Sequence, residues 1–265
     1  FDRVDLTIAG NATQEACDIV YCFGEERHPV TAADCAFFLT AENGLPVQDE
    51  KGSFVLDEEA VTAYVQSLAE EYDGYGRTRQ FHSTRGDVIT IDGGTYGSKM
   101  DRKKETAYLL EHLLDPGVHT GTPQSHIPSY EREAFCYGKN DIGDTYIEVD
   151  MTEQKMYYYE KGVLKLETEI VTGNMRRRMG TPEGVNFVYN KQKNRVLRGP
   201  GYASPVKFWM PVKGGIGIHD AGWRKEFGGD IYQTAGSHGC INTPKDKMEE
   251  LFDCVQIGTP VVMFY

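Results

Sequence analysis

From residue 146 onward the chain is written in short apolar runs separated by glycine-bearing turns, and this pattern most restricts its fold. Tyr146 to Val149 and Gln154 to Tyr159 read as two strands of a hairpin turning at Asp150-Met151. Val163 to Val171 alternates through Val163, Leu164, Leu166, Thr168 and Ile170. Gly184 to Tyr189, Val206 to Met210 and Gly215 to His219 continue the series. Strands this short, with side chains pointing to alternate faces, bury an apolar face only against another layer. The expectation for residues 141–265 is a mostly β domain, a sandwich or barrel-like sheet, with a helix after Cys240.

The first half reads differently. Val61, Tyr64, Val65, Leu68 and Tyr72 recur at spacings of three and four, the mark of an amphipathic helix. Asp57 is placed to cap it, Glu58 and Glu59 suit the positive end of its dipole, and Asp73-Gly74 stops it. Val88 to Ile91 reads as a strand closed by Gly93-Gly94, and a second helix runs from about Arg102 to Leu114, ended by Pro116-Gly117. The expectation for residues 1–140 is an α+β domain. Residues 115–130, rich in Pro, Gly, His and Ser, read as a boundary loop, and the division is placed at residue 140. The first 50 residues hold short apolar stretches, such as Val4 to Ile8, that periodicity does not order.

Charge supports the division. The net charge is −12, and residues 1–140 carry 12 basic against 24 acidic side chains, whereas residues 141–265 carry 16 of each. Such a chain lacks the basic surface that phosphate binding needs, so nucleic acid is excluded as a partner. The sequence starts at Phe1, without a visible signal peptide, and is read as a fragment whose targeting segment and membrane anchor lie outside it. Six cysteines are present, but their spacing matches neither a disulfide framework nor a zinc site, and no metal or cofactor is expected.

Chemistry concentrates in Gly236-Ser237-His238-Gly239-Cys240-Ile241-Asn242, a turn ahead of a helix. Thr243 reads as the cap of that helix, Pro244 as its first residue, and Asp246 as the third member of a capping-box-like pattern. A thiol attacks as the thiolate, so Cys240 needs a base. His219, at the end of a strand, is the candidate, with His238 two residues from the sulfur. Gly236 and Gly239 let backbone N–H groups approach a substrate and aim at an oxyanion.

His219, a 17-residue interval and then Ser-His-Gly-Cys-Ile-Asn resembles the signature of L,D-transpeptidases of the YkuD type. Val171-Thr172-Gly173, Thr181-Pro182-Glu183-Gly184, Leu197-Arg198-Gly199-Pro200, Val206 to His219, Trp223-Arg224, Phe227-Gly228-Gly229, Ile231-Tyr232 and Gly258 to Val262 resemble the same domain, over about residues 145–265. Asp57 to Tyr72, Asp73-Gly74, Phe81, Gly93 to Gly97 and the helix near Glu105 resemble the peptidoglycan-binding domain that often precedes it, although Ser98 stands where that family usually has Trp.

The resemblance implies an extracellular enzyme acting on peptidoglycan stem peptides. Cys240 would be the nucleophile and His219 its base, Ser237, His238 and Gly239 would support them, and Asn242 would clamp the turn. Tyr202, Trp209, Trp223 and Arg224 are expected in the substrate groove, and the Arg176, Arg177 and Arg178 cluster is weighed as a site for donor carboxylates against a solvated loop. Donor and acceptor stems would be joined 3→3 with release of D-Ala, and beta-lactams of the carbapenem class would acylate Cys240. A hydrolase using the same acyl-enzyme and a non-catalytic wall-binding module are the alternatives.

Overall fold

The computed structural model describes residues 17–115, 121–199 and 202–265. The expected stretch Val4 to Ile8 and the helix stop Pro116-Gly117 lie outside the described residues. The chain divides into two units that are not contiguous in sequence. The first takes the chain up to Gly74, with Ser98–Glu133 and Tyr137–Lys139; the second takes Tyr75–Gly97, Ala134–Cys136 and Asn140–Tyr265. A single cut at residue 140 is therefore corrected: residues 75–97 belong with the later unit.

In the first unit the amphipathic spacing forms the helix Glu58–Tyr72, and the Asp57 carboxylate accepts from the Glu59 and Ala60 N–H groups. The second helix is Arg102–His112. Both pack on a three-stranded sheet in the order Glu26–Pro29, Ile19–Phe23, Gln124–His126. Val61, Val65, Leu68 and Leu109 fill the core with Tyr21, Phe23 and Phe38. A short helix missed in the sequence, Ala32–Phe37, starts at Thr31, whose side chain and that of Asp34 form a capping box.

The second unit is a mostly β structure of two sheets. The five-stranded sheet runs Val163–Glu169, Lys155–Glu160, Tyr146–Asp150, Pro260–Phe264, Gly184–Phe187. The four-stranded sheet runs Gln192–Gly199, Tyr202–Lys213, Ile216–Asp220, Ile241–Thr243. Ile147, Val149, Met156 and Tyr158 of one sheet share a core with Phe208, Met210 and Ile218 of the other. The hairpin turn after Asp150 forms because its carboxylate accepts from the Thr152 and Glu153 N–H groups.

The helix after Cys240 is Lys245–Cys254, and Met248, Leu251 and Phe252 bury its apolar face in that core. Its start differs from expectation. Pro244 is the cap and no side chain caps the helix. Thr243 is retained by the sheet, paired with Asp220 and accepting through its carbonyl from Ala221 N–H at 3.0 Å.

Residues 75–97 contribute a hairpin, Arg79–His82 with Val88–Ile91. Its Phe81 and Ile91 pack with Val185, Val262 and Phe264 of the five-stranded sheet. No helix among the described residues is long and apolar enough to cross a membrane.

Candidate active site

His219 sits on the strand Ile216–Asp220, which pairs in parallel with Ile241–Thr243, so that His219 lies opposite Asn242. The residue just before that second strand is Cys240. Sheet register thus brings together two sequence segments that stand a 17-residue interval apart. Trp209, on the neighbouring strand, is paired with His219 from the other side.

The turn bearing Cys240 is held by neutral side chains. Ser237 Oγ donates to the Cys240 carbonyl at 2.6 Å and accepts from Gly239 N–H at 3.0 Å. Thr181 Oγ1 donates to the Gly239 carbonyl at 2.8 Å and accepts from Gly173 N–H at 3.0 Å. Gly239 has φ +114°, a backbone geometry that side chains resist. Asn242 exchanges two backbone bonds of 2.9 Å with Val171.

A pocket of about 200 Å³ opens over this turn, lined by His219, Ser237, His238, Cys240 and Asn242, with Trp223, Arg224, Gly236, Leu197 and Ser204. The structure therefore gathers the expected catalytic set, Gly239 excepted, in one place. Leu197 was visible only within a resembling segment, and Ser204 carried no signal, since nothing in its local pattern distinguishes it from any strand serine. Thr181 was likewise only part of a resembling tetrapeptide, and its contact with the turn is a tertiary fact.

Two expectations are corrected. Trp209 is not in the groove: it is buried at 5% exposure, its ring centroid 5.9 Å from that of His219. A Cβ at Gly217 would meet its Cη2 at 2.7 Å, so glycine there admits the indole beneath the strand. Gly239 N–H is committed to Ser237 Oγ and so does not point at an oxyanion. Trp223, by contrast, is 52% exposed with its ring 5.9 Å from His219. The side chain of Tyr202 lies outside the described residues. Arg176, Arg177 and Arg178 form an exposed turn and are not among the residues that line the pocket.

His219 is 4% exposed, and its Nδ1 bonds to the Asp220 carbonyl at 2.9 Å. A carbonyl only accepts, so Nδ1 carries the proton and Nε2 the lone pair. Burial pushes the imidazole below its ordinary range, opposed by the Asp220 carbonyl bond and the Asp220 charge, while Arg224 adds to the lowering. Burial also pushes the Cys240 thiol up, opposed by the Gly217 N–H. Sγ lies 3.8 Å from the Gly215 carbonyl. Both shifts favour the uncharged forms, a thiol and a neutral imidazole. Among the described residues, no group of three or more His, Cys, Asp and Glu is placed to hold a metal ion, and all six cysteines are unbridged.

A turn-borne thiol and a buried imidazole thus line one pocket of a two-sheet unit. Residues 144–263 match the model of the L,D-transpeptidase catalytic domain, and residues 40–117 match that of a peptidoglycan binding domain. A crystal structure of a Cys-to-Ser mutant of the Enterococcus faecium L,D-transpeptidase is 35% identical, with 98% of this chain and 99% of that one covered and a TM-score of 0.81. The Ldtfm–avibactam carbamoyl enzyme is also 35% identical over 98% and 99%, with a TM-score of 0.80. The catalytic domain of the Enterococcus faecium L,D-transpeptidase acylated by ertapenem is 51% identical over 46% of this chain and 98% of that one, with a TM-score of 0.42. No curated protein matches. The chain belongs to the L,D-transpeptidase family, with a peptidoglycan-binding domain ahead of the catalytic domain.

Proposed function

We propose that this protein forms 3→3 peptidoglycan cross-links through a thioester on Cys240. The observation that carries the reading is the convergence of Cys240 and His219 on one pocket, with Ser237 and Thr181 fixing the turn between them. Cys240 Sγ attacks the carbonyl that joins the L-centre of the third stem residue to the terminal D-Ala. His219 Nε2 takes the thiol proton and gives it to the departing D-Ala amine. An amine of a second stem then attacks the thioester and releases the cross-linked product.

The Cys240 N–H is the backbone donor assigned to the oxyanion, since Gly239 N–H serves the turn. Trp223 and Arg224 line the donor or acceptor path, and His238 flanks the thiol at the pocket wall. Residues 40–117 hold the enzyme on the wall, in keeping with the peptidoglycan binding domain that they match. Carbapenems and avibactam acylate Cys240, by analogy with the carbamoyl enzyme of Ldtfm. The enzyme works on the outer face of the envelope, where these stems are.

Incubation with disaccharide-tetrapeptides, read by mass spectrometry, tests this. Dimers lacking one D-Ala are the expected product, and Cys240→Ala abolishes them. Tripeptide monomers without dimers would establish the hydrolase instead. Wall binding without any product, unchanged in Cys240→Ala, would leave only a binding module.

A further inference from the structure

Arg224, Asn242 and His219 make a chain of contacts in which each polar atom has one role available. A guanidinium donates and never accepts. The Asn242 Oδ1 therefore faces Arg224, accepting from Nε at 2.7 Å and Nη2 at 3.3 Å. The amide nitrogen is then turned to His219 Nε2, at 3.2 Å. An NH₂ group donates, so Nε2 presents a lone pair and the proton of the ring stays at Nδ1, facing the Asp220 carbonyl. Two independent contacts, one at each nitrogen, thus specify the same tautomer.

Both ends of this chain are anchored. Arg224 Nη2 donates to the Ala235 carbonyl at 2.8 Å, and the Asn242 backbone is fixed by its bonds to Val171. Turning the amide by half a revolution would offer Oδ1 to Nε2 and favour the imidazolium. It would also set NH₂ against the guanidinium, donor against donor.

We propose that Arg224 is a positioning residue which, through the Asn242 amide, holds His219 in the neutral Nδ1–H tautomer with Nε2 unprotonated. This rests on the reading of His219 as the base and gives the Trp223-Arg224 segment a task beyond lining the pocket. The groups that face His219 are few. Asp220 on its own strand offers a carbonyl, its carboxylate accepting from Phe208 N–H at 2.7 Å. Arg224 comes from the following loop and Asn242 from the adjacent strand. The Trp209 and Trp223 rings flank the imidazole, and Cys240 and His238 share its pocket. The contacts that fix the imidazole are thus a carbonyl and an amide, which order the ring without protonating Nε2, and the amide N–H yields that lone pair when it takes the Cys240 proton.

Long-range ¹H–¹⁵N NMR on the full chain, labelled at histidine, reads the tautomer and titration of His219 directly. The wild type is expected to show the Nδ1–H form through neutral pH. Asn242→Asp presents only acceptor oxygens to Nε2 in nearly the same shape, and should raise the titration by roughly one pH unit or more. Arg224→Gln frees the amide to turn and should raise it by less, with the acid limb of Cys240 alkylation moving in step. An Nε2–H tautomer in the wild type overturns the proposal, and so does an Arg224→Gln titration equal to the wild type's. The measurement needs no turnover. Absence of cross-linked dimers from the wild type would sink the transpeptidase reading while leaving the tautomer assignment intact.

Discussion

Two parts of the second unit are attached to its sheets by opposite means. The hairpin of residues 79–91 is held by charge in addition to the packing of Phe81 and Ile91. Arg79 pairs with Asp141 through two bonds, of 2.8 and 2.6 Å, with side-chain exposures of 5% and 1%. Arg85 reaches both oxygens of Asp150 at 3.1 Å, and the Glu148 carboxylate accepts from Thr84 N–H and Oγ1. The turn of residues 236–243 is held by the Ser237 and Thr181 hydroxyls, by backbone amides and, at Asn242, by the Arg224 guanidinium, with no carboxylate among these contacts. The difference teaches where charge is tolerated. Beside the Cys240 thiol and the His219 imidazole a carboxylate favours the imidazolium and raises the thiol pKa, and the one next to His219, that of Asp220, is turned to the Phe208 N–H, whereas around the hairpin the carboxylates pair with guanidiniums.

The largest test of this contrast removes a hairpin charge. Asp141→Ala strands a buried guanidinium and should cost about 3–5 kcal/mol in chemical denaturation, whereas Arg79→Met with Asp141→Leu should recover most of it. If the single variant unfolds like the wild type, charge does not hold the hairpin. Next comes the turn. Ser237→Ala deletes two bonds that shape the Cys240 backbone, and its acylation rate by a carbapenem should fall about 10- to 100-fold, with a stability loss near 1 kcal/mol. Equal losses in both would make Ser237 a plain structural residue. Thr181→Val removes the anchor one step further back and should slow acylation less, by about tenfold or below, measured in the same assay.

The smallest effect is on pH. The folded-state pKa of His219 is lowered, so the unfolded chain binds a proton that the folded chain refuses. Its contribution to stability is therefore full above the unfolded value of about 6.5 and is lost as pH falls below it. His219→Gln should flatten the stability profile over that acidic window. A wild-type profile with the opposite slope, traced to His219, would contradict a buried neutral imidazole.

Much of the second unit was legible because its strands alternate apolar and polar residues, and its helix carries Met248, Leu251 and Phe252 on one face. Gln192–Gly199 was visible only in part, through Leu197 to Gly199, because its residues are largely exposed and polar on an outer strand. Of the hairpin, Val88–Ile91 showed itself by its β-branched run, while Arg79–His82 did not, being mostly polar. Its membership in the second unit depends on Arg79 finding Asp141, 62 positions away. Local pattern holds no record of such a pairing.

The residues of the active site were legible by type: a thiol in a glycine turn, a histidine ending a strand, and the spacing between them. The sequence by itself determined that Cys240 and His219 belong to one site and that a helix follows. Only the tertiary structure decided their protonation and their partners. The Asp220 carbonyl and the Asn242 amide reach one imidazole from its own strand and the parallel neighbour, and the Arg224 guanidinium fixes that amide from a loop. The state of a proton is set by what surrounds it in space, and that surrounding exists only once the sheets have paired.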